Sequence, residues 1–396
     1  MLSYEDALAR LLAACEPVPP VDLPLADAAG LTLADDLTAR LTQPPFPSSA
    51  MDGYAIRWAD MPGPWRVVGE SAAGRGFAGT VGAGETARIF TGAPLPQGAD
   101  TVIVQEEVGR EGELLTLTGE GPPRLGAHIR VAGKDFSAGE RLIAAGTRLS
   151  PQHLGLAAAS GHGSLAIRRP RVAILATGDE LVAPGAVPQT DQIVSSNGVM
   201  LAALFRAGGA DVRDLGIFPD ELGAIGKGLS AASDADLIVT IGGASVGDHD
   251  LVQAALKDAG AALDFWKVAI KPGKPLIAGS LGRARVLGLP GNPVSAFVCA
   301  VLFALPMLRR MAGSMDTDPV TAARLLAPLP ANGNRRDHLR ARLTADGVHA
   351  FDAQDSSMLG VLAGANALII RPAGAPAMEA GADVPVLALD RIFATP

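Results

Sequence analysis

Two rhythms of apolar and polar positions run along this chain. Between residues 171 and 310, short blocks of consecutive apolar residues alternate with stretches that carry apolar residues at helical spacing. "RVAILATG", "ADVRDLGIF" and "ADLIVTIGG" read as strands, and so do "DFWKVAI" and "ARVLGLPG". Between them, "SNGVMLAALFRAGG" predicts a helix opened by Ser196 or Asn197 and closed by glycines. "ELGAIGKGLSAAS" and "DLVQAALKDAG" predict two more. Strand–helix alternation of this kind implies a mostly parallel sheet covered on both faces. The closing helix starts in "LPGNPVSAFVCAVLFALP" (289–306), with Asn292 at its cap and Pro293 in its first turn. Its free N–H groups and positive dipole end would suit an anion. The apolar run at 294–305 stops at Pro306 and Arg309-Arg310, which makes it too short for a membrane span.

Outside that stretch the rhythm is different. "WRVVGE", "ETARIF" and "DTVIVQEEV" are short β-type runs punctuated by Gly, Pro and Asp. They follow a Pro-rich break at 41–57 and suggest an inserted β-rich domain over 43–140. "AGTRLSPQHLGLAAASG" returns to helix, with Ser150 as cap and Pro151 at the first position. Residues 1–42 and 141–170 would then form one discontinuous N-terminal domain. It begins with a helix capped by Ser3, with Asp6 three residues on. The α/β domain is expected over 171–320. A small β-domain, read from "HLRARL", "ALIIRP" and "DVPVLAL", is expected over 321–396.

Composition narrows the function classes. With 396 residues, 48% of them hydrophobic, the chain can bury a large core. A net charge of −8 argues against a general nucleic-acid binder, though local lysines and backbone dipoles can still hold a small anion. The two cysteines, Cys15 and Cys299, form neither a metal spacing nor a disulfide framework, which fits a reducing compartment. The N-terminus has acidic residues early and no basic segment before an apolar block, so it does not read as a signal peptide. These features predict a cytoplasmic protein with no membrane and no nucleic-acid partner.

In an open α/β sheet, ligands bind beyond the carboxyl ends of the strands. Four loops fall there: Thr177–Glu180, Gly242–Asp250, Lys271–Pro275 and Gly288–Pro293. The glycine loop lacks the Lys-Ser/Thr ending of a P-loop and the spacing of a dinucleotide fingerprint. Its backbone N–H groups could still cradle a phosphate. Lys271 and Lys274 flank a Pro-Gly and suit a phosphate or another oxyanion. Glu180, Asp248 and Asp250 read either as solvated loop residues and helix caps or as oxygen ligands for Mg²⁺, which shares its ligands with substrate phosphates. Asp52 and Thr91 each precede a glycine and read as turn residues. The six histidines show no HExxH and no paired spacing, so a His-based zinc site is not expected. Ser245 and His249 sit in a helix-starting loop rather than a serine triad.

Six segments, "PFPSSAMDGYAIR", "TGAPLPQGADTVI", "ATGDEL", "GGASVGDHD", "KVAIKPGKP" and "GLPGNPVSA", resemble in order the molybdopterin molybdenumtransferase family, which includes bacterial MoeA and the gephyrin E domain. The resemblance implies an enzyme that inserts molybdate into the dithiolene of adenylylated molybdopterin with Mg²⁺, releasing AMP and molybdenum cofactor. It implies four parts: a discontinuous N-terminal domain, an inserted β-domain, a molybdopterin-binding α/β domain and a C-terminal β-barrel. It also implies a homodimer in which the inserted domain of one protomer approaches the α/β domain of its partner. Asp52, Thr91, Asp135, Glu180, Asp220 and Asp250 match acidic or polar positions of the family site, and Lys267, Lys271 and Lys274 its basic positions. Gly242, Gly243, Ser245, Gly247, Asp248, Pro290, Gly291, Asn292 and Pro293 match its substrate loops, with Glu180, Asp248 and Asp250 as metal ligands. Lys134 stands where the family has Glu, and Ala244 and His249 where it has Val and Tyr. A molybdopterin adenylyltransferase would supply the substrate, and apo-molybdoenzymes or their chaperones would receive the product. Two other readings remain: an adenylyltransferase on the same α/β domain, which ATP consumption would reveal, and a non-catalytic scaffold, which would tolerate loss of Asp52 and Glu180.

Overall fold

The computed structural model of the chain describes residues 1–242, 251–273 and 275–393. The chain divides into two compact units, one of residues 1–35, 144–154 and 164–396, the other of residues 36–143 and 155–163.

The larger unit is built on a six-stranded sheet. Its strands are β1 (Arg171–Thr177), β2 (Asp211–Phe218), β3 (Leu237–Ile241), β4 (Ala262–Lys267), β5 (Pro275–Leu281) and β6 (Ala284–Leu289), in the order β2-β1-β3-β6-β5-β4. The pairs β1/β2, β1/β3 and β3/β6 are parallel, whereas β5 runs antiparallel to both of its neighbours. Five strands therefore share one direction, and β5 is an addition to the expected set. Its sequence merges with that of β6 because only Gly282-Arg283 separates them, and Leu281 pairs directly with Ala284. Gly282 supplies the positive φ that so short a hairpin loop needs. The expected strand over "DFWKVAI" is also shorter than its apolar run. It leaves the sheet after Lys267, and Ile270–Lys271 pairs instead with Arg336 and Asp337 of the C-terminal sheet.

Period-two alternation places the core on both faces of the sheet. Val172, Ile174 and Ala176 face one side, together with α1 (Asn197–Ala207) and the N-terminal helix Tyr4–Ala13. Ala173 and Leu175 face the other, under α2 (Leu222–Ala231) and α3 (Leu251–Asp258). The Ser3 cap is formed: its hydroxyl accepts from the Asp6 N–H at 3.0 Å.

The closing helix α4 (Pro293–Ala312) is longer than the apolar run alone predicts. It continues through Pro306, with a wider π-type turn at Ala300–Ala304. That turn precedes a residue with no N–H to offer the carbonyl four positions back, and such turns accommodate the defect. Among the described residues α4 is the one helix long and apolar enough to cross a membrane, and 89% of its most apolar window is buried inside the protein. Core packing on the sheet accounts for its composition.

The C-terminal strands Val320–Arg324, Arg336–Thr344, Gly347–Ala350, Ala367–Arg371 and Asp383–Ala388 form a small barrel. A bridge between Leu325 and Val348 closes the ring, and Leu325, Ala341, Val348, Ile369 and Val386 fill it.

The smaller unit carries its own six-stranded sheet, with Gly53–Ile56 between Thr101–Val104 and Glu85–Ile89. A Cβ at Gly53 would stand 1.9 Å from the Ile103 carbonyl oxygen, so the "MDGYAI" segment needs glycine for this close pairing.

Candidate functional site

A cleft of about 940 Å³ opens at the carboxyl ends of β1, β3 and β6. Strand register sets it there. Ala176 pairs with Ile241, and Ile241 with Leu289, so three strand ends stop level and their loops emerge on one edge. Thr177, Glu180, Gly242 and the turn Pro290–Pro293 form one wall, with Lys271, Pro272 and Gly273 beside them.

The turns of this wall depend on close backbone approach. Gly242 has φ +92, and a Cβ there would lie 2.9 Å from the Thr177 carbonyl oxygen. Gly273 has φ +88, and its Cβ would lie 2.5 Å from Cys299 Sγ on α4. The Pro-Gly turn after Lys271 is thereby pressed against the helix that closes the site. Burial pushes the Cys299 thiol up to about 12, so it acts there as an inert apolar group.

The start of α4 differs from expectation. Asn292 occupies the cap position, but its side chain does not bond to its own helix. Its Nδ2 donates to Ser356 Oγ at 3.1 Å, and the Val294 N–H donates to the Ser356 carbonyl at 3.1 Å. Pro293 has no N–H, so the first donor of the helix, that of Val294, is already spent on the C-terminal domain. The next donor, the N–H of Ser295, belongs to a residue that lines the cleft.

The barrel supplies the opposite wall: Arg335, Gln354, Asp355, Ser356 and Ser357. Arg335 donates to the Ile270 carbonyl at 3.3 Å, which ties it to the strand carrying Lys271. The Ser357 hydroxyl and N–H both donate to Asp355 Oδ1 and hold that carboxyl below the usual range. From α1, Asn197 donates to the Gly291 carbonyl at 2.6 Å, while its buried Oδ1 has no partner among the described residues. Sequence reasoning treated Asn197 only as a helix start and missed the barrel residues. Adjacent "RR" and "DSS" in a β-domain carry no loop signature, so little in the chain pointed to them.

The remaining sequence-derived candidates fall into three groups. Asp220 lies beside the cleft rather than in its lining. Its N–H donates to Asp179 Oδ1 at 3.0 Å. Burial, followed by the charges of Asp179 and Glu180, raises its carboxyl above the usual range. Lys267 ends β4 at the same sheet edge but is exposed and outside the lining. Asp52, Thr91 and Asp135 belong to the smaller unit. There Asp52 and Thr91 meet: Asp52 Oδ1 accepts from the Thr91 N–H at 2.8 Å and from its hydroxyl at 2.9 Å. These two bonds, with help from Arg88, lower the Asp52 carboxyl. Asp135 is exposed and is fixed through its N–H on the Gln43 carbonyl, 3.0 Å away. Gly243, Ser245, Gly247, Asp248, Asp250 and Lys274 lie outside the described residues. Among the described residues no three His, Cys, Asp or Glu side chains converge in a way that could hold a metal ion.

Comparison with known proteins covers nearly the whole chain. Residues 2–161 match the family model for the MoeA N-terminal region (domains I and II). Residues 173–310 match that for a probable molybdopterin binding domain, and 322–389 that for the MoeA C-terminal region (domain IV). A molybdopterin molybdenumtransferase of Nostoc sp. is 37% identical over 382 residues, covering 91% of this chain and 87% of the relative. Molybdopterin molybdenumtransferase 2 of Mycobacterium tuberculosis is 36% identical over 400 residues, covering 97% and 98%. A crystal structure of a molybdopterin biosynthesis MoeA protein from Pyrococcus horikoshii superposes with a TM-score of 0.81 at 27% identity, over 98% of this chain and 100% of that one.

Proposed function

The chain belongs to the molybdopterin molybdenumtransferase family, transferases of molybdenum cofactor biosynthesis, and from that premise we propose that it inserts molybdate into adenylylated molybdopterin and releases AMP. The observation that carries this reading is that Glu180, Gly242, Lys271 and the 290–293 turn line one cleft at the sheet edge. Lys271 and Arg335 provide positive charge for an oxyanion or a phosphate. The Oδ1 of Asn197, without a partner among the described residues, can accept from an N–H of the pterin ring. The walls of strand ends and barrel loops hold the ligand in a fixed orientation, which is how positioning lowers a barrier.

The carboxylate oxygens of Glu180, with those of Asp248 and Asp250, are the hard donors that Mg²⁺ prefers, so the residue types fit the ion. When bound, Mg²⁺ would neutralise charge on the phosphate oxygens. The same reading includes a homodimer in the cytoplasm. Its inserted β-domain, carrying the Asp52–Thr91 pair, serves the partner's α/β domain. A molybdopterin adenylyltransferase is the donor of substrate, and apo-molybdoenzymes or their chaperones are the acceptors.

A single-turnover assay with adenylylated molybdopterin, molybdate and Mg²⁺ tests this reading, following AMP release and activation of an apo-molybdoenzyme together. Both signals are expected, and Glu180→Ala should reduce both by about 100-fold or more. Pterin binding without either signal would show a carrier or scaffold on this fold. ATP consumption would show an adenylyltransferase.

A further inference from the structure

One buried carboxylate in the barrel lies between two cations. Asp337 is in register with Lys271 on one neighbouring strand and with Arg371 on the other. Residues in register on adjacent strands project to the same side of the sheet. Lys271 Nζ stands 3.5 Å from Asp337 Oδ2, with the lysine side chain half-exposed and the aspartate nearly buried. Arg371 is 2% exposed. Its Nη2 donates to the carbonyls of Pro330, at 3.1 Å, and Pro376. Its Nε and Nη1 have no partner among the described residues. All three side chains line a second cavity of about 430 Å³ in the barrel, and Lys271 also lines the cleft.

Among the described residues Asp337 is ion-paired with Lys271 alone, while Arg371, in register with it on the other neighbouring strand, makes no ion pair with it. Buried guanidinium N–H groups left unpaired are costly, and a carboxylate is their natural partner. We propose that Asp337 is a positioning residue that holds Lys271 while the cleft lacks an oxyanion, and that Arg371 is the second partner that takes Asp337 over when an oxyanion draws Lys271 away. The exchange keeps Asp337 paired in both states, so Lys271 can leave it without stranding a buried charge. Arg371 touches no ligand and acts only through Asp337. The inference rests on the insertase reading for the identity of the oxyanion, molybdate, but not for the exchange itself.

The test is molybdate binding to the full-length protein, measured by calorimetry with inorganic phosphate as a second probe. Arg371→Met keeps the bulk of the side chain and removes the second partner, so molybdate affinity should fall about tenfold. Adding Asp337→Asn to that variant should restore it, because no carboxylate is left to strand. A merely structural role for Arg371 would show no rescue, and that result overturns the proposal. Should Arg371→Met fail to fold, Asp337→Asn alone decides. The exchange requires a lower KM for molybdate, through loss of the competing carboxylate, together with a lower kcat, through loss of Lys271 placement. A raised KM, or both constants unchanged, overturns it. Wild-type protein that binds molybdate without releasing AMP would sink the insertase reading alone. Turnover with unchanged affinity in Arg371→Met would sink the exchange alone. Failure to bind either probe would sink the exchange directly.

Discussion

The two walls of the cleft are made by different means. The α/β wall is shaped by backbone, through strand ends, the glycine turns at 242 and 273 and the Pro290–Pro293 turn, and this backbone carries Glu180 and Lys271. The barrel wall is largely side chain: Arg335, Gln354, Asp355, Ser356 and Ser357. The first wall follows from topology, because parallel strands that stop level must release their loops on one edge. The second follows from where the barrel docks, through Ile270–Lys271 and the Asn292–Ser356 contact. A backbone wall should be sensitive to conformation, and a side-chain wall to chemistry.

Gly273→Ala is the strongest challenge to the first half of that contrast. The residue has φ +88, and its Cβ would approach Cys299 Sγ to 2.5 Å. Left-handed strain and overpacking together predict a loss of about 2–4 kcal/mol. Denaturant titration should show it, with ligand affinity falling in the variant that remains folded. If stability and affinity both stay at wild-type levels, the wall is not set by its backbone.

Ser356→Ala probes the second half, with a smaller effect. It keeps the carbonyl that accepts from Val294 and removes only the hydroxyl that accepts from Asn292. The loss of one hydrogen bond is worth about 0.5–1.5 kcal/mol. Affinity for molybdate or for the pterin should therefore fall about 3- to 10-fold, with little change in Tm. An equal loss in stability would mean that this contact braces the fold rather than tuning the site.

The same contrast explains what the sequence could reveal. Strand–helix alternation over 171–310 pointed to the sheet, and the sheet edge pointed to Glu180, Gly242, Lys271 and Asn292, which the cleft lining contains. Strand β5 was hidden because a two-residue loop leaves no turn signal long enough to separate it from β6. The Asn292 side chain was assigned to its own helix because local capping is the short-range rule, whereas its partner, Ser356, is 64 residues away. Arg335, Asp337 and Arg371 were invisible for the same reason. Their relation to Lys271 exists only once strand 336–344 lies between 270–271 and 367–371. Asp52 and Thr91 were legible as a pair only through family motifs, since 39 residues separate them and neither flanks an α/β strand.

Asp220 offers the finest distinction, because it belongs to neither wall yet bears on the first. Burial and the charges of Asp179 and Glu180 raise its carboxyl, so the ionised form is less favourable in the folded protein than in the unfolded chain. A raised pKa means that the folded state is relatively favoured while the group is protonated, and that this advantage is lost as pH rises through the folded value. Asp220→Asn removes the charge and keeps the shape. Its Tm should therefore exceed that of the wild type by a small margin at neutral pH. The margin should vanish below the carboxylate range, where both chains carry a neutral group. Asp220 is exposed as a residue and its carboxyl is only partly desolvated, so solvent screening keeps the gain modest. If the gain is instead constant with pH, neither desolvation nor the charges of Asp179 and Glu180 disfavour the ionised Asp220.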